Sequence, residues 1–421
     1  MVKCAGLHLT MVSSDDPPRF ICFLPPVPSP PSLASLKAAF GDTISQVLKE
    51  VASHSSDSEK AAVLELALAV PELLDHHQKP HSALYQSTQT TLAAIYKLIC
   101  VIAAQDGVNV EDADGVDVRV LLVAWSPSGV ARQPQSEPYG PVIDLHTLAV
   151  CGRQWQYAFG VESEAGEAMV RAFVEAKGSG EPLHRLQSGL GQKNTPSSQS
   201  PKTSGSKDGA QGSSAAQDRH YDVAVGGTFD HTHIGHKLLL TMTLFAVDEP
   251  LSAEAKQRRS ATIGITGDQL LVNKKHADVL ESWDQRQQVV QDFVDSLVNF
   301  TTSPPQVSRR NDSGPNGKSV DLLYPHGLAV KCTEIQDPFG PTITEEQISA
   351  LIISAETRSG GKAVNDKRQE KGWKDLEVFE VEVLDAEAEG QGVKEGFEGK
   401  LSSTAIREKI ARKVKGESAA L

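Results

Sequence analysis

The apolar and polar positions in the first half of the chain predict helices over 33–53, 59–74 and 82–104. These lie behind a proline-rich lead at Pro25, Pro26, Pro28, Pro30 and Pro31. Strands are predicted over 116–125 and 142–150, and a helix over 164–176. The second half alternates. A short apolar strand over 221–227 runs into Gly226-Gly227, followed by a helix over 236–247 and a strand over 260–267. Val289, Val290, Phe293 and Leu297 sit at helical spacing in a long amphipathic stretch, 282–298. Strands over 320–324, 330–334 and 350–354, a helix over 362–371, a strand over 376–384 and a helix over 402–415 complete the pattern. Such alternation argues for a parallel sheet covered on both faces, with ligands at the carboxyl ends of its strands.

One composition break divides the pattern. Between Leu190 and Val223 there is no Val, Ile, Leu, Met, Phe or Trp. A stretch of Ser, Gly, Gln, Thr and Pro cannot bury enough apolar surface to offset its chain entropy, so 191–217 reads as a flexible linker. It separates an N-terminal domain, 1–190, from a C-terminal domain, 218–421. The first is expected to be α/β or α+β.

Length and charge narrow the classes. At about 150 residues per domain, 421 residues suggest two or three domains. A net charge of −13 argues against coating nucleic acid or an anionic membrane by bulk charge, while leaving room for a local basic pocket. The apolar run 92–104 carries Lys97 and reads as a buried helix rather than a membrane span. Asp15, Asp16 and the prolines give the N-terminus no targeting character. Cys4, Cys22, Cys100, Cys151 and Cys332 are dispersed without a CxxC pair, which suggests reduced thiols and a cytoplasmic protein. His76 and His77 abut in a predicted loop with no carboxylate or cysteine at metal-ligand spacing. They read as solvated surface, and no metal site is expected.

The chemistry concentrates in Val223-Ala-Val-Gly-Gly-Thr-Phe-Asp-His-Thr-His-Ile-Gly-His236. Gly226 and Gly227 let phosphates approach the backbone, and Thr228 offers a hydroxyl and an N–H. His233 and His236 stand at the start of the next helix, where free N–H groups and the helix dipole favour anions. Such a pair also serves elsewhere as a plain helix cap or a zinc pair, although no Glu lies between them. Strand, Gly-Gly-Thr, HxGH and helix together favour phosphate chemistry.

These residues resemble the signature of the HxGH nucleotidylyltransferase superfamily. Asp268-Gln-Leu-Leu-Val-Asn-Lys-Lys275 with Arg286 is similar to phosphopantetheine adenylyltransferases of the eukaryotic and archaeal type. So are Asp337-Pro-Phe-Gly-Pro341, Ile353-Ser-Ala-Glu-Thr357 with Gly360-Gly361, Asn365-Asp-Lys-Arg368 and Lys400-Leu-Ser-Ser-Thr-Ala-Ile-Arg407. The resemblance covers about 220–415 in order and is silent on 1–190. It implies a Rossmann-like doubly wound parallel sheet in the C-terminal domain. The implied reaction is transfer of the adenylyl group of ATP to 4′-phosphopantetheine, with Mg2+, giving 3′-dephospho-CoA and pyrophosphate in coenzyme A synthesis.

By position, the resemblance makes His236, Thr228 and Lys274 catalytic, with Lys275 as understudy. Gly226, Gly227, Thr228, Phe229, His233, His236, Ser402, Ser403, Thr404 and Arg407 would bind ATP. Thr228, Lys274 and Arg368 would hold the acceptor. Bacterial members carry arginines in the loop corresponding to 354–358, where this chain reads Ser-Ala-Glu-Thr-Arg, so the grip on the pantetheine arm is left open. Gly314-Pro-Asn-Gly-Lys-Ser319 imitates a P-loop tail, but Asp312 stands where the first glycine belongs, so a polar loop is expected. A dephospho-CoA kinase would then be a separate chain, one of several coenzyme A enzymes expected as partners. The literal His-Ile-Gly-His also occurs in class I aminoacyl-tRNA synthetases, but their KMSKS loop is replaced here by KLSST. Alternatives are transfer to nicotinamide mononucleotide or FMN, and a degenerate scaffold.

Overall fold

The computed structural model describes residues 17–55, 61–111, 115–128, 138–178, 218–250, 258–382 and 403–418. The proposed linker, 191–217, lies outside the described residues, as do Cys4 and Ser402.

Five parallel strands form the first sheet: β1 (Arg19–Leu24), β2 (Val63–Ala69), β3 (Asp117–Val123), β4 (Val142–Ile143) and β5 (Tyr157–Gly160), in the order β4-β3-β2-β1-β5. Four helices accompany it: α1 (Leu33–Ser55), α2 (His81–Asp106), α3 (Leu145–Val150) and α4 (Glu164–Lys177). The second sheet has seven strands: β6 (Asp222–Gly227), β7 (Arg259–Thr266), β8 (Gln306–Asn311), β9 (Lys318–Leu323), β10 (Leu328–Ile335), β11 (Ala350–Ser354) and β12 (Glu377–Val381). Its helices are α5 (Ile234–Phe245), α6 (Trp283–Val298), α7 (Arg358–Glu370) and α8 (Ser403–Ser418).

The order of the second sheet is β12-β11-β6-β7-β10-β9-β8. Its five strands from β12 to β10 are mutually parallel, and β9 and β8 add an antiparallel edge. The sheet is therefore mixed where a purely parallel one was expected. From β6 the chain winds outward through β7 and β10, then returns to β11 on the other side. That reversal of strand order beside β6 makes the crevice in which doubly wound sheets bind ligands.

Most predicted elements appear within a few residues of their predicted ends; five regions differ. The predicted helix 59–74 is instead strand β2, every residue of which is buried. A central strand covered on both faces is a continuous apolar run, and periodicity cannot separate that from a buried helix. The predicted strand 142–150 pairs over only two residues. Asp144 then accepts a hydrogen bond from the N–H of Thr147 at 2.6 Å and caps α3. Strands β1 and β5 went unrecognised beside the proline-rich and loop segments. Strand β8 was also missed: all six residues are exposed, so it has no hydrophobic alternation to read. The Gly314–Ser319 decoy forms the tight turn joining β8 and β9, where a Cβ on Gly317 would lie 2.1 Å from the Asp312 carbonyl oxygen.

Helix α2 is long and apolar enough to cross a membrane by length and composition, but most of it is buried against other parts of the chain. It packs on α1 and, notably, on α5 of the second sheet. One continuous hydrophobic core includes residues of both sheets. Polar contacts reinforce this joint. Lys237, 6% exposed, forms an ion pair with Asp117 and donates to the Val118 carbonyl at 3.0 Å. Arg153 donates to the carbonyls of Ser296 and Asn299. Gly140 approaches so closely that a Cβ there would lie 1.9 Å from the Leu297 carbonyl oxygen.

Candidate active site

A cleft of about 780 Å³ opens at the carboxyl ends of β6, β7, β10 and β11, at the reversal of strand order. Its floor is the end of β6. A Cβ on Gly226 would meet nothing closer than 3.9 Å, so a side chain there would stand in the cleft. Gly227 is constrained differently, since a Cβ would lie 2.9 Å from the ring of Phe229. The chain then turns sharply. Phe229 and His231 both take positive φ, 52° and 43°, which side-chain-bearing residues adopt at a cost.

A polar lattice holds that turn. Arg286, wholly buried, donates to the carbonyls of Thr228 at 2.7 Å and Glu281 at 3.0 Å, and pairs with Asp268 at 2.6 Å. The Glu281 carboxylate accepts from the N–H of His231, and Asp230 accepts from the N–H of Glu281. Asp230, fully buried, also pairs with Arg407, which donates to the Lys275 carbonyl at 3.0 Å and to Thr404 Oγ1 at 3.1 Å. The loop after β6, the 274–275 segment and the start of α8 are thereby tied into one frame.

The two histidines sit where helix α5 begins. His233 is its N-cap, and Nδ1 accepts from the N–H of Gly235 at 3.1 Å. An accepting Nδ1 leaves the neutral ring a donor at Nε2. His236 stacks on His233 with ring centroids 4.0 Å apart, and its Nδ1 is buried without a hydrogen-bond partner. Burial, and secondarily the neighbouring His233, pushes the His236 pKa well below the ordinary imidazole value. That shift favours the neutral imidazole, which can donate one hydrogen bond to an oxyanion.

Gly226, Gly227, Thr228, His233, His236, Lys274, Ser403, Thr404 and Arg407 are all brought to this one cleft. Lys274 is exposed at its rim. Two expected residues stand elsewhere. Phe229 is completely buried behind the turn, its ring 5.4 Å from that of His236, and supports the cleft from outside it. Arg368, expected to hold the acceptor, is 1% exposed. It donates to the carbonyls of Lys374, Thr342, Glu345, Glu346 and Ile348. A guanidinium has five N–H groups pointing outward in one plane, and these five backbone acceptors engage them, so none is left for a phosphate. Arg368 is a brace of the loop before β11.

Other motif residues divide between lining and bracing. Asp337 accepts from the N–H groups of Phe339 and Gly340 at 2.7 and 2.8 Å, so its motif builds a turn on the cleft wall. Asn365 both donates to and accepts from the backbone of Leu376. Ser354, Thr357 and Gly360 line the cleft, while Arg358 pairs with Glu380 at the surface. Sequence reasoning gave no role to Asp230, Asp268, Glu281 or Lys237. A buried Asp paired with a buried Arg leaves no local pattern, because its partner lies far away in the chain.

Comparisons with known proteins each cover less than half of the chain. A family described as a domain of unknown function (DUF8446) matches residues 11–192. An uncharacterized protein of Schizosaccharomyces pombe is 34% identical over 190 residues, 45% of this chain and 48% of that one. A Saccharomyces cerevisiae protein named phosphopantetheine adenylyltransferase is 35% identical over 185 residues, 44% of this chain and 47% of that one. One of the same name from Pyrobaculum aerophilum is 28% identical over 45% of this chain and 92% of its own. The matched segment spans about half the length of both fungal relatives. Relatives named phosphopantetheine adenylyltransferase thus align with just under half of this chain.

Proposed function

We propose that this chain transfers the adenylyl group of ATP to 4′-phosphopantetheine, in the cytoplasm, giving 3′-dephospho-CoA and pyrophosphate. The observation that carries this reading is the assembly of Gly226, Gly227, Thr228, His233, His236, Lys274, Ser403 and Thr404 around one cleft at the switch point of a doubly wound sheet. The relatives named for this activity support the choice of acceptor.

An acceptor phosphate oxygen attacks the α-phosphorus of ATP. The new P–O bond forms as the bond to the bridging α,β-oxygen breaks, and pyrophosphate leaves with that electron pair. No protein nucleophile is needed, so catalysis rests on alignment and on stabilising charge at the transferring group. The glycines admit the phosphates to the backbone of β6. Thr228, held through its carbonyl by Arg286, orients the attacking phosphate against the α-phosphate. His236 donates to the α-phosphate oxygens as their charge grows, and His233 donates from Nε2 to the triphosphate. Lys274 at the rim neutralises the incoming acceptor.

The N-terminal N–H groups of α8, with Ser403 and Thr404, receive the β,γ-phosphates. Arg407 is paired with Asp230 and serves this site mainly by locking α8 to the β6 turn. Mg2+ would arrive here as the companion of ATP and would supply positive charge at its phosphates. Pyrophosphate release from Mg-ATP, measured separately with phosphopantetheine, nicotinamide mononucleotide and FMN, tests the reading. Turnover is expected with phosphopantetheine alone. Turnover with another acceptor, or with none, sinks it.

A further inference from the structure

His76 and His77 do not behave as a solvated pair. They occupy a short 3-10 turn, His76–Gln78, just before α2, and His76 is 2% exposed. Its Nδ1 lies 2.7 Å from the Leu73 carbonyl oxygen. A carbonyl can only accept, so that nitrogen carries the proton and Nε2 of the neutral ring presents a lone pair. This Nε2 is buried and has no hydrogen-bond partner. The nearest charged group is Glu249, which follows α5 in the second half of the chain and places Oε1 3.7 Å away. The second Glu249 oxygen contacts Nδ1 of His77, whose ring lies 3.8 Å from that of His76. One ligand atom from each of the three residues lies within 4.8 Å of the others.

A buried imidazole lone pair facing a carboxylate is unfavourable unless a cation stands between them. Two imidazoles and a carboxylate form a donor set suited to zinc and its first-row neighbours. An Nδ1–H donated to a backbone carbonyl is the arrangement that orients a metal-ligating histidine and fixes its tautomer. We propose that His76, His77 and Glu249 bind one divalent transition-metal ion, zinc foremost, with water completing a four-coordinate site. Around such an ion the ligand atoms stand about 3.3 Å apart, within reach of small side-chain rotations from the observed arrangement.

The site would clip the two sheets together. Its histidines belong to the first sheet's half and Glu249 to the second. The adjacent Asp248 already accepts from the N–H of His81 across the same joint, and from His220 N–H and Arg219 within its own half. Helix α5 carries His233 and His236 at one end and this site just beyond the other. Sequence reading missed the site because its carboxylate lies far along the chain from the histidines.

The test uses the full chain, stripped with chelator and dialysed against buffered zinc, with bound metal measured by elemental analysis. One equivalent is expected at about 10 μM free ion, with a rise in melting temperature. Cobalt in its place is expected to show the visible absorption of a tetrahedral site. His77→Ala and Glu249→Gln, at exposed and partly buried positions, are each expected to weaken binding at least ~10-fold with circular dichroism unchanged. No bound zinc at that concentration, or a full equivalent retained by the double variant, overturns the proposal. A plain His76–Glu249 ion pair would give the first of these results.

Discussion

The two sheets share an architecture and differ in chemistry. In each, the first strand lies between two parallel neighbours, its successor on one side and a much later strand on the other. Each therefore has a crevice where strand order reverses. Strand β6 ends in Gly-Gly-Thr and feeds a helix opened by two histidines, whereas β1 ends at Leu24 and runs into Pro25-Pro26. Proline has no N–H to offer a phosphate and fills the space that glycine leaves open. Winding supplies the same crevice in both, and two or three residues at a strand end set what it can accept. The first half contributes something else. Its α2 and β3 pack behind α5, so the helix that carries His233 and His236 is held from the opposite side.

The largest expected effect breaks that joint. Asp117→Asn leaves Lys237 and Arg119 facing one another without their carboxylate, and is expected to lower the unfolding free energy by ~3–5 kcal/mol. Lys237→Met, which leaves Asp117 paired with Arg119, should cost less in the same denaturant titration. Equal losses would show that the uncompensated charge is not the cause.

His236→Ala separates the chemistry from the scaffold. Turnover is expected to fall at least ~100-fold, measured as pyrophosphate release, with the melting temperature little changed. A rate within a few-fold of the parent would remove His236 from the role given above. Gly140→Ala probes the joint without touching charge. Its Cβ must displace the Leu297 carbonyl, and an overpacking cost of about 1–3 kcal/mol is expected from thermal unfolding.

The last test is the pH dependence. Burial lowers the pKa of His81 and His236, and burial together with Arg259 lowers that of His326 to about 3. Both folded and unfolded chains hold these rings neutral above their unfolded pKa of about 6.5, so stability there is unaffected by them. Below it the unfolded chain takes up protons that the folded chain refuses, and stability falls as pH drops toward the folded values. Melting temperatures recorded from pH 7.5 to 4.5 should show that decline. His326→Phe, which keeps an aromatic ring stacked 4.0 Å from Tyr139, should make it shallower. An unaltered slope would mean that His326 protonates in the folded chain as readily as in the unfolded one.

Much was legible before folding because it is local. The turn after β6, the start of α5 and most helices follow from residues next to one another. A glycine pair, a cap and a periodic apolar face act over a few positions. Most residues that the motifs singled out do meet at the cleft, whereas Arg368 stands apart from it as a brace. Arg368 belongs to a motif yet satisfies five carbonyls, and nothing in the motif's spelling separates a phosphate ligand from a loop brace. Strand β2 was misread for a related reason, since burial on both faces erases the alternation that marks a strand.

The sequence by itself determined where phosphate chemistry could occur, because N–H groups, imidazoles and missing side chains there are neighbours along the chain. Only the tertiary structure decided what is paired with what. Asp230 meets Arg407, Asp117 meets Lys237, and Glu249 meets His76 and His77 across the joint between the sheets. A buried charge needs a partner in space, and the fold can bring that partner from any distance along the chain.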